Sequence, residues 1–555
     1  MMTRSYLHTP WNGSVPYNTI PERLIELAER HPNKEAFVFV GENSRTAVTY
    51  SGIVENAGVY ARKFIVAGIL KGDVVAIHDD KSPTWLYCTY GAMMCGARPP
   101  HFYFEKRDGS DIADVLKRVN CKALITQPGD DDVFVSIVKH FATFKEGGNV
   151  FSQEVPSLRL VIFSQTPRNF KVALTVDDIL QRADDPLQVI EPEDVAAILF
   201  SSGSSGAPKF IPWTHSNLLL ISLQVSNVIG YTNNDILFCD KTFGWIAGYP
   251  IEILNGIKRV TNSSSFKEKS LTEICETTVR IINQENCVQA ILFSSTINEL
   301  LRTCPNLNKM KTIITGGAPI PGKESEVVRT VCQRFINFYG STEFYGLTLN
   351  VITENDKLKN YDCGIPLPGV EVKVMADDGK LAEIGTIGEI YARSISGTFG
   401  FIDAEQDWHK EARTKGYWYK TGDAGYISGD GHLFVTGRIE ESITVEDEIL
   451  SPSFYEDVFK KHPCAQNVVA FAIPDDVLHE VAGIAITLKD GQTTTVEELL
   501  MFYKNEMDLY YDSSFFGTKL TPRRILFFDS FKRTNSGKIA RKVVKQDALR
   551  IISSS

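Results

Sequence analysis

The segment Phe200–His215, FSSGSSGAPKFIPWTH, has the residue types of a phosphate-binding loop. It ends an apolar run, DVAAILF, that is typical of a buried strand. Glycines let a backbone approach closely and adopt positive φ, so that N–H groups can surround phosphate oxygens. Serine hydroxyls add donors, and a lysine adds a point charge suited to phosphate. The candidate ligands are Ser201, Ser202, Gly203, Ser204, Ser205, Gly206 and Lys209.

Runs of glycine and serine are usually flexible linkers, and the sequence context decides between the two interpretations. Here the run is short and lies between the strand-like segment and an amphipathic helix, HSNLLLISLQVSNVI. That position disfavours a linker and favours phosphate binding. The loop is not the Walker pattern, because G-x-x-x-x-G-K-[ST] occurs nowhere in the chain.

The elements that would position this loop alternate along the chain. A first helix is predicted after Thr19, because Thr19 and Glu22 have capping-box spacing and Pro21 falls in the first turn. Strand-like runs then alternate with helical ones. This alternation predicts parallel sheets covered by helices. The runs are DVVAIHD, CKALIT, DVAAILF, VQAILFS, KTIITGG and RFINFYG.

The texture of the sequence changes twice in the second half. From about Pro366, short strands separated by turns predict an antiparallel or barrel-like section. After Arg438–Ser442, an α+β pattern returns, with a helix capped by Thr495 and Glu498. We therefore predict an α/β chain with two domains. Residues 1–437 form helix-covered sheets with a barrel-like section, and residues 438–555 form a smaller α+β domain.

Composition excludes several classes of protein. A formal net charge of -10 argues against a nucleic-acid binder, which needs a basic footprint. No apolar run reaches the roughly 18 residues of a transmembrane helix. The first residues lack the apolar core of a secretory signal, the last residues are not an SKL-type address, and no C-x-x-C pair occurs among the ten cysteines. We take the cytosol as the default location, with a mitochondrial leader as an open alternative.

Five segments in order resemble the motifs of one family, the adenylate-forming (AMP-binding) superfamily. This family includes acyl-CoA synthetases, 4-coumarate:CoA ligases, beetle luciferases and non-ribosomal adenylation domains. The resemblance extends from the Thr19 helix to Lys542. The five segments are SSGSSGAPK, TGGAPIP at 315–321, NFYGSTE at 337–343, YKTGDAGYISGDGHLFVTGRIEE at 419–441 and KRTNSGKIARK at 532–542.

The resemblance implies a reaction in two halves. A small-molecule carboxylic acid attacks the α-phosphate of ATP and gives an acyl-adenylate and pyrophosphate. A thiol, usually that of coenzyme A, then displaces AMP. The first half brings anions together, so the site must supply cations and aligned donors. The implied cofactor and substrates are Mg²⁺, ATP and coenzyme A, and the small domain is expected to be mobile and to turn between two poses.

The resemblance also implies roles for residues of the larger domain. The loop from Ser201 to Lys209 would hold the β- and γ-phosphates, and Thr342 would contact the α-phosphate. Glu343 would help to hold Mg²⁺, a hard cation that prefers carboxylate oxygen. Tyr339 would stack on the adenine. The other nucleotide-binding positions are Gly316, Gly317, Ala318, Pro319, Gly340 and Ser341.

Three further roles follow from the resemblance near the domain boundary and beyond it. Asp423 would accept hydrogen bonds from the ribose hydroxyls, and Arg438 would lie beside the ribose or a phosphate. Lys538 would reach the reacting carboxylate and the α-phosphate. We assign catalysis to Lys538, Thr342 and Glu343. Taken singly, each such residue has a commoner explanation as a surface acid, a solvated cation or a turn cap, and only their order favours function.

The acyl site is predicted at Phe238–Pro250, FCDKTFGWIAGYP. Its D-x-x-x-G-W resembles the D-x-G-W of acetyl- and medium-chain acyl-CoA synthetases, with one extra residue. Trp245, Ile246 and Tyr249 would form an apolar wall, which fits a fatty or aryl acid better than an amino acid. His215 would either face this site or serve as a structural, helix-capping residue. Ordinary core packing is the alternative for Trp245.

One segment departs from the family pattern. Glu446, Asp447 and Glu448 stand where the family usually has a glycine in the loop that serves thioester formation. Added bulk and charge there predict a weakened second half-reaction. The main prediction is an acid–thiol ligase of the acyl-CoA synthetase type. The alternatives are a luciferase-like enzyme that oxidises its adenylate, and a non-catalytic relative that binds a nucleotide or acyl group.

Overall fold

The chain divides into two compact units in a computed structural model. The larger unit contains Leu7–Val372 and Ala392–Tyr419, and the smaller unit contains Met1–Tyr6, Lys373–Tyr391 and Lys420–Ser555. The domain boundary predicted after residue 437 stays a prediction. The structure describes residues 4–78, 81–101, 110–170, 174–175, 177–179, 187–201, 209–263, 270–303, 307, 309–317, 330–356, 359–398, 416–445, 448–450, 452–475, 479–510, 520–533 and 538–554.

Two of the helices begin at the capping boxes that the sequence predicts. The Glu22 N–H donates to Thr19 Oγ1 at 3.3 Å, and the Thr19 N–H donates to Glu22 Oε2 at 2.7 Å, so the predicted capping box is present. Thr495 and Glu498 make the same reciprocal pair. The helices are α1 Ile20–Arg30, α2 Tyr50–Val66, α3 Pro83–Met94, α4 Ser110–Arg118, α5 Val133–Phe141, α6 His215–Ile229, α7 Leu271–Gln284, α8 Ser294–Thr303, α9 Pro452–Phe459, α10 Val496–Tyr510 and α11 Arg541–Ser554.

The strands are distributed along the whole described chain, and the longest are β25 Ala465–Asp475 and β26 His479–Leu488. They are β1 Tyr6–Thr9, β2 Glu35–Val40, β3 Arg45–Thr49, β4 Val75–His78, β5 Ala123–Thr126, β6 Thr143–Phe144, β7 Val150–Phe151, β8 Leu160–Phe163, β9 Leu174–Thr175, β10 Val195–Ser201, β11 Lys209–Thr214, β12 Ile236–Cys239, β13 Lys258–Asn262, β14 Gln289–Ile291, β15 Met310–Gly316, β16 Cys332–Tyr339, β17 Thr348–Ile352, β18 Ile365–Pro366, β19 Val370–Met375, β20 Gly388–Ser394, β21 Tyr419–Ile427, β22 Leu433–Arg438, β23 Ile443–Val445, β24 Glu448–Leu450, β25 Ala465–Asp475, β26 His479–Leu488 and β27 Arg524–Phe527.

The largest sheet has nine strands in the order β18-β17-β16-β15-β14-β12-β13-β2-β3. The six strands from β16 to β2 are mutually parallel, and antiparallel strands flank them on both sides. Helices α7 and α8 connect strands of this sheet, which agrees with the predicted alternation. Because β12, β14, β15 and β16 are parallel neighbours, the segments that follow them lie side by side at one edge of the sheet.

A second parallel sheet has the order β4-β5-β8-β9, and two hairpins, β6-β7 and β10-β11, accompany it. Buried apolar side chains such as Leu124, Val161 and Phe210 form one core around these strands. A separate core under the nine-stranded sheet includes Phe238 and Phe335. Among the described residues, none of the helices has the length and apolar composition needed to span a membrane.

The strands from β19 onward lie in two further sheets, and the first strand of the chain joins one of them. One has the order β1-β19-β20-β21-β22, with β21 and β22 antiparallel. The other has the order β24-β23-β26-β25, and β27 pairs in parallel with β26. Helices α9 and α10 share a core with this second sheet through Tyr455, Leu499 and Tyr503. The α+β character predicted after Ser442 is therefore confirmed.

Candidate active site

The serine- and glycine-rich run joins two antiparallel strands. Ser201, at the end of β10, lies opposite Lys209, the first residue of β11. Helix α6 begins only after β11, at His215, so a second strand that was not predicted stands between the run and the helix. The sequence FIPWT forms a strand because its partner β10 supplies a hydrogen-bonded edge. The remaining predicted ligands, Ser202, Gly203, Ser204, Ser205 and Gly206, lie outside the described residues.

The predicted adenine residues lie at the carboxyl ends of two parallel neighbours. Gly316 ends β15 and is opposite Phe338 of β16, and Gly317 follows it. A Cβ atom on Gly316 would lie 2.5 Å from the Phe338 carbonyl oxygen, so only glycine fits there. Tyr339 is the last residue of β16, so the pairing brings it beside the two glycines. Ala318 and Pro319 lie outside the described residues.

The turn Gly340–Glu343 follows β16 directly. A Cβ atom on Gly340 would lie 2.2 Å from the Tyr345 carbonyl oxygen, so the turn closes only around a glycine. Ser341 is its second residue, and its buried hydroxyl oxygen has no hydrogen-bond partner among the described residues. Thr342 and Glu343 are both buried. The turn therefore presents its polar side chains from a rigid, closely packed backbone at the carboxyl edge of the sheet.

Trp213 ties the strand after the serine-rich run to this turn. Its indole N–H donates to the Thr342 carbonyl at 3.1 Å, and the Trp213 side chain is fully buried. The Thr398 N–H donates to the Glu343 carbonyl at 3.0 Å. The hydrogen bond from Trp213 thus fixes β11, the strand that begins at Lys209, to the turn that contains Thr342. Trp213 was assigned no role from the sequence, although it stands within the stretch that ends at His215.

Tyr419 is a partner of Glu343 that the sequence did not reveal. Its hydroxyl donates to Glu343 Oε1 at 2.9 Å, and its ring packs against Phe344 with centroids 5.3 Å apart. Tyr419 opens the motif YKTGD, but nothing in that spacing predicts a contact with a residue 76 positions earlier. The phenol orients one carboxylate oxygen of a buried acid. This arrangement fits a carboxylate that holds a hard cation such as Mg²⁺.

Three predicted residues come together in the smaller unit. Asp423 and Arg438 are opposite residues of β21 and β22, and Arg438 Nε lies 3.0 Å from Asp423 Oδ1. The Arg438 guanidinium also donates to the Thr421 carbonyl at 3.1 Å. Desolvation and the positive charge of Arg438 lower the pKa of Lys538, and the negative charge of Asp423 acts in the opposite direction. Lys538 is thus within electrostatic range of both groups.

The predicted acyl wall follows β12, next to the other segments at the same edge. Ile246 and Tyr249 are buried, and Trp245 is half-buried. The ring of Trp245 lies 5.4 Å from that of Phe293, which follows β14. Since β12 and β14 are parallel neighbours, this aromatic pair stands in the same row as Gly316 and the Glu343 turn. Phe293 was not predicted from the sequence.

Asp240 begins the acyl-wall segment and is already paired. Its Oδ1 lies 3.1 Å from Lys241 Nζ, and its carbonyl accepts a hydrogen bond from Lys81 at 2.7 Å. Burial raises the pKa of Asp240, but the ammonium groups of Lys241 and Lys81 outweigh this effect and leave the pKa below its usual value. The carboxylate is therefore charged and neutralised by protein groups, as a structural role requires.

His215 makes the contact of a structural residue. Its Nδ1 accepts a hydrogen bond from the Ile20 N–H at 3.2 Å, which satisfies a donor in the first turn of α1. Burial lowers the pKa of His215 to about 4, so the ring is neutral near pH 7 and can accept through that nitrogen. Of the two roles left open by the sequence, this contact matches the capping role.

Comparison with known proteins identifies the family. Residues 24–401 match the AMP-binding enzyme family over more than half of the chain, so the protein belongs to that family. The medium-chain acyl-CoA ligase ACSF2, mitochondrial, of Macaca fascicularis is 25% identical over 579 residues, with 96% of this chain and 88% of the relative covered.

Solved structures share the fold over almost the whole chain. The anthranilate CoA ligase AuaEII, in complex with anthranoyl-AMP, aligns with a TM-score of 0.79 at 18% identity, covering 98% of this chain and 99% of its own. The o-succinylbenzoate CoA synthetase MenE of Bacillus subtilis, in complex with ATP and magnesium, aligns with a TM-score of 0.74 at 18% identity, covering 96% and 100%. At these identities the likeness shows the fold, with a larger and a smaller domain.

We expect Gly340→Ala to disable nucleotide binding at the turn. The added Cβ must displace the Tyr345 carbonyl and with it the backbone of Thr342, so ATP-dependent pyrophosphate release should fall about 10²-fold. Gly429→Ala is the matched control, because a Cβ on Gly429 meets no atom within 4 Å. Equal activity of the two variants would contradict the role of the turn.

We expect Tyr419→Phe to weaken the cation site without disturbing the fold. Loss of the hydroxyl removes the hydrogen bond that orients Glu343, so the Mg²⁺ concentration for half-maximal pyrophosphate release should rise about 10-fold. Tyr417→Phe, two residues earlier on an exposed side chain, serves as the control. An unchanged Mg²⁺ dependence in Tyr419→Phe would show that Glu343 does not need this partner.

Proposed function

We propose that the protein is an ATP-dependent acid–thiol ligase of the acyl-CoA synthetase type. It would activate a fatty or aryl acid as an acyl-adenylate, with release of pyrophosphate, and transfer the acyl group to coenzyme A with release of AMP. The observation that carries the proposal is the row of segments at one edge of the sheet. In that row, Gly316, the Glu343 turn and the Trp245 wall stand beside one another.

In the first half-reaction, the larger unit would hold the triphosphate and the acid. Lys209 would bind the β- and γ-phosphates together with the loop it follows, and Thr342 would contact the α-phosphate. Glu343, oriented by Tyr419, would hold Mg²⁺, which when bound neutralises charge on the phosphates. Gly316 leaves the backbone open to a planar base, and Tyr339 would stack on it.

The cluster of Asp423, Arg438 and Lys538 would serve the ribose and the reacting centre. Asp423 is an acceptor-only group suited to two ribose hydroxyls, and its pairing with Arg438 fixes its orientation. Lys538 would stabilise the negative charge that develops as the carboxylate attacks the α-phosphate. Desolvation and the positive charge of Arg438 lower the pKa of Lys538, and a bound anion would stabilise its charged form.

The predicted acyl wall supports a fatty or aryl acid over an amino acid. An amino acid needs a buried acid for its ammonium group. Asp240 is the acid in this segment, and Lys241 and Lys81 already compensate its charge. Trp245 and Phe293 offer aromatic surface instead. The medium-chain acyl-CoA ligase and the anthranilate CoA ligase named above take acids of these two kinds, which supports the same choice.

The acceptor in the second half-reaction separates the ligase from its rivals. A luciferase-like enzyme would share every residue proposed for adenylation and oxidise the adenylate instead. A non-catalytic relative would bind nucleotide without turnover. Glu446 and Asp447 lie outside the described residues. Their flanks, Ile443–Val445 and Glu448–Leu450, pair as antiparallel strands, with Val445 opposite Glu448.

The cellular location has two candidates. The sequence gives the cytosol as the default, while the relatives from mammals carry the word mitochondrial in their names. A mitochondrial location would fit a fatty-acid ligase as well as a cytosolic one. Fractionation of cells that express the full chain, followed by immunoblotting of the cytosolic and mitochondrial fractions, separates the two.

The first experiment is pyrophosphate release with ATP, Mg²⁺ and a panel of straight-chain and aryl acids, with and without coenzyme A. We expect release that depends on one class of acid, together with formation of its acyl-CoA. Lys538→Ala should reduce release about 10²- to 10³-fold, because it removes the cation beside the reacting phosphate. Arg550→Ala, which removes an exposed cation on the following helix, should leave release unchanged.

Each other outcome of this experiment favours a rival. Pyrophosphate release without a thioester would indicate an adenylating enzyme with a different acceptor, and light emission with a luciferin, ATP and oxygen would identify the luciferase-like alternative. Nucleotide binding without release for any acid would support the non-catalytic relative. Full activity of Lys538→Ala would contradict the assignment of Lys538.

We expect Asp447→Gly to accelerate thioester formation. Removal of one negative charge near the anionic coenzyme A lowers repulsion by about 1 kcal/mol at most in water, which corresponds to about fivefold in rate. The measurement is acyl-CoA formation from preformed acyl-adenylate, with Asp430→Gly as a control that likewise exchanges one acid for glycine. An unchanged rate in Asp447→Gly would mean that the acidic segment is a tolerated variation.

A further inference from the structure

Arg541 joins three segments of the smaller unit. Its Nε lies 2.7 Å from Glu441 Oε2, and one of its terminal nitrogens lies 2.5 Å from Glu456 Oε1. The same guanidinium donates to the Ala470 carbonyl at 3.3 Å. Arg541 is the first residue of α11, so these contacts anchor the start of that helix to the turn after β22, to α9 and to β25.

The contact with Glu441 connects the segment of Arg438, a predicted nucleotide-binding residue, with the segment of Lys538, the predicted catalytic lysine. Glu441 lies three residues after Arg438, in the 3₁₀ turn Ile439–Glu441 that follows β22. Arg541 lies three residues after Lys538. The ion pair therefore joins the two segments at positions three residues from Arg438 and three residues from Lys538. The two segments are far apart in the sequence, so the sequence alone does not predict this contact.

The Glu456 contact secures the other side of Arg541. Burial raises the pKa of Glu456, but Arg541 and Lys460 outweigh this effect and leave the pKa below its usual value. The Glu456 Oε1 atom also accepts a hydrogen bond from the Ala470 N–H at 2.9 Å. Because a buried, hydrogen-bonded carboxylate holds one side of the guanidinium, the contact with Glu441 transmits a fixed position to the segment of Lys538.

We propose that Arg541 and Glu441 are positioning residues that hold Lys538 beside Arg438 and Asp423 for adenylation. The inference rests on the proposed function, because it requires Lys538 to act at the reacting centre. Neither residue would contact the substrates. The ion pair would restrict the path of residues 538–541, so that the Lys538 ammonium meets the α-phosphate without a search through other positions.

The test uses Glu441→Gln in the full chain. This change keeps the size of the side chain and leaves the Arg541–Glu456 contact in place, so the fold of α9 and α11 should persist. We expect kcat for pyrophosphate release to fall about tenfold, with KM for ATP and for the acid unchanged, because substrate binding does not involve Glu441. The kcat of Arg541→Lys should lie between those of the wild type and Arg541→Ala, because a lysine keeps the positive charge but lacks the two-pronged set of guanidinium donors.

Arg550→Ala is the matched control, because Arg550 lies on the same helix in an exposed pair with Asp547 at 3.4 Å. It should leave kcat and KM unchanged. A wild-type kcat in Glu441→Gln would overturn the proposal. A second contradicting result would be that Arg541→Ala loses kcat and thermal stability together and that Arg541→Lys restores neither. Failure of the wild-type protein to release pyrophosphate would instead refute the proposed function, so the two failures are distinguishable.

Discussion

The parallel alignment of β12, β14, β15 and β16 is the constraint on which the predicted larger-unit site depends. Hydrogen bonding in one direction places the carboxyl ends of these strands at the same edge, although the segments that follow them are far apart in the chain. The acyl wall, the aromatic residue Phe293, the two glycines and the Glu343 turn are therefore neighbours by topology. A shift of one strand by a single residue would turn its side chains to the opposite face of the sheet and separate these segments from one another.

Backbone contacts make this edge rigid enough to support chemistry. The Gly340 turn can close because no side chain separates it from Tyr345, and the buried indole of Trp213 holds the Thr342 carbonyl. Because Trp213 and Lys209 both lie in β11, the same hydrogen bond fixes the turn relative to the strand of Lys209. A buried hydrogen bond of this kind fixes geometry because its loss would leave both groups without water or protein partners. The Tyr419 hydroxyl extends the arrangement to the carboxylate of Glu343.

In the smaller unit, ion pairs orient the predicted site residues. Asp423 and Arg438 face each other across two antiparallel strands, and Arg541 connects the turn after Arg438 to the helix after Lys538. Ion pairs at partly exposed positions contribute little to stability, but they orient the side chains that they join. A unit that must present one lysine to a reacting phosphate benefits more from orientation than from additional stability.

The sequence by itself determined the local features and the chemistry class. Capping boxes at Thr19 and Thr495, the alternation of strands with helices and the order of five motifs each depend on residues that are close in the chain, so spacing reveals them. The strand after the serine-rich run was not predicted, because FIPWT becomes a strand only through its partner β10. The contacts Trp213–Thr342, Tyr419–Glu343 and Arg541–Glu441 were decided by tertiary structure alone. Their partners are distant in sequence, and local preferences carry no information about which distant side chains a fold brings together.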